Sequence, residues 1–159
     1  MYLTKNFLPS NECTKLIKLF NDIEKYHGID YKLNNTRVIH FDDFKVGHGA
    51  VNIIYQDLFN KITNYINLID NNCTIDYFQI VKWKKNSYMN VHTDHSHQLY
   101  SSIINLNDDY IGGETVIEDT TVVSELGQIV TFKGNTESLS VNPILNGIRY
   151  TIPVWYKSK

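Results

Sequence analysis

The stretch "TIDYFQIVKW", residues 74–83, decides the fold class because its side chains alternate between two faces. Successive side chains of a β-strand point to opposite sides of the sheet, so this alternation is typical of a strand. One face carries Ile75, Tyr77, Gln79, Val81 and Trp83, and the other carries Phe78 and Ile80. The stretch therefore predicts a long β-strand in the middle of the chain.

Short extended runs continue this pattern toward the end of the sequence. They lie at 88–94, 99–107, 114–118, 121–124, 128–132 and 147–156. The segments "KKNS", "NDDY", "IGGE" and "NPILNG" separate them and are rich in the residues that favour turns. Seven or so short strands in succession predict a β-sandwich or jelly roll.

Two amphipathic helices precede these strands. Apolar residues recur every three or four positions over residues 11–27 and again over Ala50–Ile69, which is the period of a helix with one apolar face. Between them, Arg37–Phe41 predicts one strand, and the polar segment Asp42–Gly49 is long enough to form a lid. The predicted class is α+β, mainly β, with two supporting N-terminal helices.

The composition is that of an ordinary globular protein. The 159 residues carry a net charge of −2 and include 42% hydrophobic residues, so we expect a single domain, residues 1–159, and no affinity for nucleic acid. No apolar run reaches the roughly 20 residues that cross a membrane, and the N-terminus lacks the apolar core of a signal peptide. We expect a cytoplasmic protein in which Cys13 and Cys73 are buried free thiols.

A candidate metal site lies in "VHTDHSHQ", residues 91–98. His92 and Asp94 are two positions apart, so on an extended chain both side chains leave the same face and can bind one cation, whereas His95 and His97 have the opposite parity. A His-x-Asp pair is the sequence-adjacent part of the 2-His-1-carboxylate triad that binds Fe(II) and leaves positions open. Taken alone, the pair is explained more simply as two solvated side chains.

Further segments support the metal site. The helix segment "NFLPSNECTKLIKLF" (6–20), "HTD" (92–94), "LNDDYIGGE" (106–114) and "NGIRYT" (146–151) occur in a characteristic order. Over nearly its whole length the chain resembles the 2-oxoglutarate and Fe(II)-dependent oxygenase family, specifically its prolyl 4-hydroxylase-like branch. The fold that this resemblance implies is a double-stranded β-helix, a variant of the jelly roll.

The resemblance also implies roles for individual residues. His92 and Asp94 match metal ligands, and they would form the catalytic centre with Fe(II). Arg149 matches the residue that binds the far carboxylate of 2-oxoglutarate, and Thr151 would add a hydroxyl donor. Tyr88 matches an aromatic residue that lines the co-substrate pocket, although a shift of one position would turn Met89 inward instead.

The implied reaction couples oxidative decarboxylation of 2-oxoglutarate with hydroxylation of a substrate carbon–hydrogen bond by dioxygen. The substrate would be a peptide or a small molecule, with peptidyl proline as the natural guess from the branch. The resemblance also allows ascorbate as an accessory small molecule. The Gly112–Gly113 pair is expected to form a turn, and Trp83 and Trp155 are expected to be core residues.

The sequence departs from the family at the third metal ligand. The family has a histidine about ten residues before the arginine, and the corresponding residue here is Leu139. Four explanations compete. In the first, His92, Asp94 and a water or another side chain hold the iron, and bidentate 2-oxoglutarate helps to retain it. In the second, a nearby residue, Glu137, His95 or His97, replaces the missing ligand. In the third, the protein is an inactive relative that serves as a binding or structural module, and in the fourth the alignment is locally wrong.

Overall fold

A computed structural model describes residues 1–45 and 50–159 of the chain. The helices are α1 (Ser10–His27), α2 (Asp42–Lys45) and α3 (Ala50–Ile69). The strands are β1 (Tyr2–Thr4), β2 (Ile29–Tyr31), β3 (Thr36–His40), β4 (Cys73–Trp83), β5 (Met89–His92), β6 (Gln98–Asn105), β7 (Ile111–Gly112), β8 (Thr115–Ile117), β9 (Thr120–Val122), β10 (Ile129–Phe132), β11 (Leu139–Val141), β12 (Ile144–Asn146) and β13 (Arg149–Ser158).

The strands form two main sheets. The major sheet has seven strands in the order β1-β10-β6-β13-β4-β3-β2, and the minor sheet has four in the order β5-β11-β8-β9. Strands β12 and β7 form a separate pair. Every pairing is antiparallel, and the two longest strands, β4 and β13, lie side by side in the middle of the major sheet.

Helices α1 and α3 cover the outer face of the major sheet. Their apolar stripes, which include Phe20 and Ile66, pack in one core with Ile80 of β4 and Ile152 of β13. All four side chains are fully buried. The apolar spacing of the helices and the alternation in β4 therefore meet at this interface, as binary patterning requires.

The opposite face of the major sheet looks toward the minor sheet. On β13, Arg149, Thr151, Pro153 and Trp155 point to this side, while Tyr150, Ile152, Val154 and Tyr156 join the helix-side core. The period-two alternation of the strand thus separates an apolar face from a mixed one. The space between the two sheets holds the candidate site.

The predicted elements are largely confirmed. Helix α3 has the predicted bounds, and α1 begins one residue earlier than expected. The predicted lid Asp42–Gly49 begins with the short helix α2, and residues 46–49 lie outside the described residues. The short strands β1, β2, β7, β11 and β12 were not predicted, because two or three residues carry no measurable alternation.

Three smaller expectations can be compared with the structure. Gly112 and Gly113 have φ values of +79° and +67°, so the turn uses the freedom of glycine as predicted. Cys13 and Cys73 are both free and buried. In the described part of the chain, no helix combines the length and the apolar character needed to span a membrane.

Candidate active site

A cavity of about 210 Å³ lies between the major and minor sheets. Strands β4 and β13 provide much of one wall, and β5 and β11 provide the other. The cavity contains four of the five predicted site residues, namely His92, Asp94, Arg149 and Thr151. Tyr31 and Tyr77 also line it and are more than two-fifths exposed, whereas Arg149 is completely buried. The cavity is therefore open near the tyrosines and closed at the arginine.

His92 and Asp94 converge at the end of strand β5. Nε2 of His92 lies 3.7 Å from Oδ1 of Asp94. Nδ1 of His92 is 2.9 Å from the backbone carbonyl of Asn90, and since a carbonyl only accepts, this nitrogen carries the proton and donates it. The geometry leaves the lone pair of Nε2 directed to the side where the carboxylate lies, as a metal-binding histidine requires.

Asp94 is held through both its carboxylate and its backbone. Ser101 Oγ donates to Oδ2 at 2.5 Å, and the Asp94 backbone N–H donates to the Gly134 carbonyl at 2.8 Å. The side chain of Trp155 lies beside the carboxylate and also favours its charged form. A Cβ atom on Gly134 would come within 2.9 Å of Oδ2, so this close approach is possible only because residue 134 has no side chain. Oδ1 remains on the histidine side, where it can bind a cation.

The electrostatic state of the pair follows from these contacts. Hydrogen bonding to Asp94 raises the pKa of His92 above its ordinary value, although burial opposes the shift. Burial alone would raise the pKa of Asp94, but the interaction with the protonated form of His92 and the hydrogen bond from Ser101 outweigh it, so the pKa is lowered. Asp94 is therefore an anion at neutral pH, which is the form that binds a metal ion.

Leu139 lies directly opposite His92 in the antiparallel pair of β5 and β11. Directly opposed residues of such a pair have their Cβ atoms about 5 Å apart and share one face of the sheet. Leu139 is 9% exposed and lines the same cavity as His92 and Asp94. An aliphatic side chain therefore lies beside the His92–Asp94 pair in the cavity wall.

The side chains considered as replacements for this ligand lie elsewhere. Glu137 accepts a hydrogen bond from the backbone N–H of Lys133 at 2.6 Å, and His97 Nε2 lies 3.3 Å from Oδ2 of Asp76. The ring of His95 stacks on that of His97, with centroids 5.8 Å apart. None of the three lines the cavity. Over residues 1–45 and 50–159, no three His, Cys, Asp or Glu side chains form a group that could hold a metal ion.

Arg149 forms the closed end of the cavity. Its Nη2 donates to Thr115 Oγ1 at 2.7 Å and to Asn105 Oδ1 at 3.4 Å, and its guanidinium carbon lies 5.4 Å from the ring centre of Trp83. Burial lowers the pKa of Arg149, yet an arginine side chain stays charged in proteins. The described residues provide no carboxylate within salt-bridge distance of it.

Two nitrogen atoms of this guanidinium are unsatisfied. Nε and Nη1 of Arg149 are buried and make no hydrogen bond with the side chains and backbone that the structure describes, and the neighbouring Tyr110 hydroxyl is likewise buried without a partner. A buried charge without a partner costs several kcal/mol, so such an arrangement persists where a ligand supplies the partner. Planar N–H groups of this kind match both oxygens of a carboxylate. The cavity therefore fits an anion with a carboxylate at its inner end.

Of the other two residues predicted to contact the co-substrate, Thr151 lines the cavity and Tyr88 does not. Thr151 is buried in the cavity wall, where its Oγ1 accepts a hydrogen bond from Trp83 Nε1 at 2.9 Å. Tyr88 lies outside this cavity, beside a shallow groove on the surface, and the neighbouring Met89 lines the cavity instead. The reason is that β5 begins at Met89, so the alternation starts one residue later than the prediction for Tyr88 assumed.

Sequence reasoning missed several residues that shape the site. Ser101 and Gly134 hold Asp94, and Thr115 and Asn105 hold Arg149, across separations of up to 44 residues. Trp155 was predicted only as a core residue, but it contacts Asp94 and stacks on Tyr77 with ring centres 4.4 Å apart. Parity could have found Trp155, because it has the same parity on β13 as Arg149 and Thr151.

Comparison with known proteins identifies the architecture. No family model matches the sequence, and no curated protein matches it. Among solved structures, a prolyl-4-hydroxylase from Pseudomonas putida matches with a TM-score of 0.78 and 14% identity, over 99% of this chain and 92% of that one. The collagen prolyl hydroxylase of Paramecium bursaria Chlorella virus-1, in a 2-oxoglutarate complex, matches with a TM-score of 0.71 and 18% identity over 99% and 95%.

The fold is the double-stranded β-helix. A third neighbour, HygX from Streptomyces hygroscopicus, has nickel and 2-oxoglutarate bound and matches with a TM-score of 0.74 and 10% identity over 99% of this chain and 82% of that one. The structural neighbours are thus 2-oxoglutarate and Fe(II) oxygenases, prolyl hydroxylases among them. This confirms the predicted fold class.

Proposed function

We propose that this double-stranded β-helix protein is a 2-oxoglutarate- and Fe(II)-dependent dioxygenase with an altered metal site. One observation carries the proposal. Arg149 is a completely buried cation whose Nε and Nη1 atoms have no partner in the described residues, and it lies in the same cavity as His92 and Asp94. An anion-binding end and a cation-binding pair in one cavity match a co-substrate that is a dicarboxylate and a metal chelator.

The proposal assigns a task to each side chain. Arg149 binds the far carboxylate of 2-oxoglutarate through its unpartnered Nε and Nη1 atoms, and the hydroxyl of Thr151 adds a polar contact. His92 Nε2 and Asp94 Oδ1 bind the metal, while Ser101 and Trp155 keep the carboxylate in position. Fe(II) would supply the activation of dioxygen, so that 2-oxoglutarate, dioxygen and R–H give succinate, carbon dioxide and R–OH.

The substrate class is the finer part of the proposal. Two of the structural neighbours are named as prolyl hydroxylases, which supports a peptidyl proline as the group that is hydroxylated. Those similarities rest on identities of 14% and 18% and therefore support the substrate only by analogy of fold. A small-molecule substrate fits the same reaction, and ascorbate would act only as an accessory reductant.

Leu139 favours a second candidate function. Its aliphatic side chain lies opposite His92, the sequence resemblance matches it to the distal histidine of the family, and an apolar group beside a cation raises the cost of charging the site. In this alternative the protein no longer turns over, and the cavity binds a small carboxylate through Arg149 without chemistry. The two candidates agree on Arg149 and differ in their need for Asp94.

Anaerobic titration with Fe(II) and 2-oxoglutarate tests the proposal. We expect the visible metal-to-ligand absorption of the chelate in the wild-type protein, and its loss in Asp94→Ala and in Arg149→Gln. Arg37→Gln is the matched control because it removes the only other arginine, which pairs with Glu24 and Asp30 outside the cavity. Carboxylate binding that survives Asp94→Ala, with no absorption in any variant, would favour the non-catalytic candidate.

A further inference from the structure

We infer that 2-oxoglutarate is a structural ligand of the metal site in this protein, so that the metal is retained only together with the co-substrate. The inference rests on the proposed function and deepens it. In a site with three protein ligands the metal can be held before the co-substrate arrives. Here the cavity itself makes the two occupants depend on each other.

Among the described residues, the cavity offers a metal ion two adjacent protein ligands. Within residues 1–45 and 50–159, His92 and Asp94 form the only adjacent pair of ionisable ligands in the cavity, and no third one joins them. Glu137 and His97 are engaged with Lys133 and Asp76 and do not line the cavity. A metal bound by the protein alone would therefore have two protein ligands and otherwise only water.

Leu139 lacks a lone pair and also makes the wall beside the metal-binding pair apolar. It is paired with His92 and belongs to an apolar cluster that includes Ile103 and Phe132, both of which line the cavity. Water that completes the coordination of a weakly held metal would face this apolar wall with few hydrogen-bond partners. Poorly hydrogen-bonded water is easily lost, so the wall lowers the stability of the metal-only state.

Arg149 offers a binding group for a carboxylate at the closed end of the cavity. The guanidinium of Arg149 has two unpartnered nitrogen atoms in the same cavity, so a dicarboxylate held there brings its second end into the space that contains His92 and Asp94. In 2-oxoglutarate that end carries a carboxylate and an adjacent carbonyl, which can supply two oxygen ligands at once. The co-substrate thus provides the donors that the protein lacks.

Linkage turns this arrangement into a measurable coupling. If the co-substrate strengthens metal binding by some factor, the metal must strengthen co-substrate binding by the same factor. Loss of a single outer partner of a ligand already weakens metal affinity by about 10–100-fold. We expect the wild-type protein to bind the metal at least about tenfold more tightly with saturating 2-oxoglutarate than without it, and the reciprocal effect to be equal.

Electron paramagnetic resonance of free Mn(II) measures the metal affinity without turnover. Mn(II) is titrated into the wild-type protein alone, with 2-oxoglutarate, and with glutarate, which keeps both carboxylates and lacks the 2-oxo group. Strong tightening by 2-oxoglutarate and little by glutarate is the expected result. Equal tightening by glutarate would overturn the inference, because the coupling would then come from charge and not from the donors of the 2-oxo acid end.

Two variants locate the effect. Leu139→His restores a donor opposite His92, and we expect it to bind Mn(II) alone at least about tenfold more tightly than wild type, so that metal is retained without the co-substrate. Val141→His is the matched control: Val141 lines the cavity two residues further along β11 but pairs with Met89. Its metal affinity should stay within threefold of wild type, and circular dichroism checks that both variants fold.

The outcomes separate this inference from the proposed function. Wild-type protein that binds Mn(II) alone as tightly as Leu139→His does would overturn the inference and leave the proposed function standing. Equal gains in Leu139→His and Val141→His would overturn it as well, because position 139 would have no special role. Failure of every variant to bind either Mn(II) or 2-oxoglutarate at millimolar concentration would overturn the proposed function and, with it, the inference.

Discussion

The two faces of strand β13 differ in how completely the protein satisfies them. On the helix side, Ile152 and Val154 are fully buried, Tyr150 donates to Asn21 at 3.0 Å, and Tyr156 donates to Ser102 at 3.0 Å. On the cavity side, the Nε and Nη1 atoms of Arg149 have no acceptor in the described structure. The first face is completed by the protein's own atoms, and the second leaves polar atoms that a ligand of the proposed kind would satisfy. Stability and function should therefore respond to mutations on opposite faces.

The largest effect is expected on the helix side. Ile152→Ala removes a fully buried side chain at the centre of the core and should lower the free energy of unfolding by about 3 kcal/mol, through lost burial and a cavity that the core cannot fill. Urea denaturation measures it. The exposed Ile148 is the control, and Ile148→Ala should change stability by less than about 0.5 kcal/mol. Similar losses in both variants would contradict the distinction between the faces.

A change of opposite sign is expected on the cavity side. Arg149→Met removes an uncompensated buried cation and keeps much of its volume, so the free energy of unfolding should rise by about 1 kcal/mol while 2-oxoglutarate binding is lost. Urea denaturation without ligand and calorimetric titration with 2-oxoglutarate measure the two quantities. A clear loss of stability would mean that the bonds of Arg149 to Thr115 and Asn105 matter more than the cost of the buried charge.

A smaller effect is expected from the groups that orient Asp94. Ser101→Ala removes the hydroxyl that donates to Oδ2, and we expect Mn(II) affinity in the presence of 2-oxoglutarate to fall about tenfold. Ser140→Ala is the matched control, since Ser140 lies next to Leu139 on β11 and does not line the cavity. If both variants bind Mn(II) like wild type, the hydrogen bond from Ser101 has no role in positioning the carboxylate.

The smallest effect is expected at the two thiols, Cys13 and Cys73, which lie in the core between the helices and the major sheet. Burial raises the pKa of Cys13 to about 11 and also raises that of Cys73. The reactive thiolate is therefore scarce at pH 8, and Ellman's reagent should detect no thiol until the protein is unfolded, when it should detect two. Rapid reaction of either thiol in the native protein would show that this core opens on the time scale of the assay.

The sequence predicts elements that are long enough to show a period. Helix α3 and strand β4 have clear patterns and lie where they were predicted, and parity alone puts Arg149 and Thr151 on one face of β13. Strand β11 has three residues and no pattern of its own, so its pairing with β5 is visible only in three dimensions. Short strands are fixed by their neighbours and not by local preference.

The candidate site shows the same limit. His92 and Asp94 are two residues apart, so their convergence follows from the geometry of an extended chain. The bond from Ser101 to Asp94 spans seven residues, and the one from Thr115 to Arg149 spans 34 and joins two sheets. Such contacts depend on sheet order, which hydrophobic periodicity does not encode. The error at Tyr88 has a local cause, namely a strand that begins one residue later than expected.

The closed end of the cavity determines the order in which ligands bind and dissociate. Arg149 is completely buried, while Tyr31 and Tyr77 at the open end are exposed, so a molecule that binds at the arginine would enter and leave through the end that the tyrosines line. In a narrow cavity with one opening, the ligand that binds first dissociates last. A bulky second molecule bound at the opening therefore blocks the release of a molecule bound at the arginine. Exchange at the inner end becomes possible only after the second molecule has dissociated.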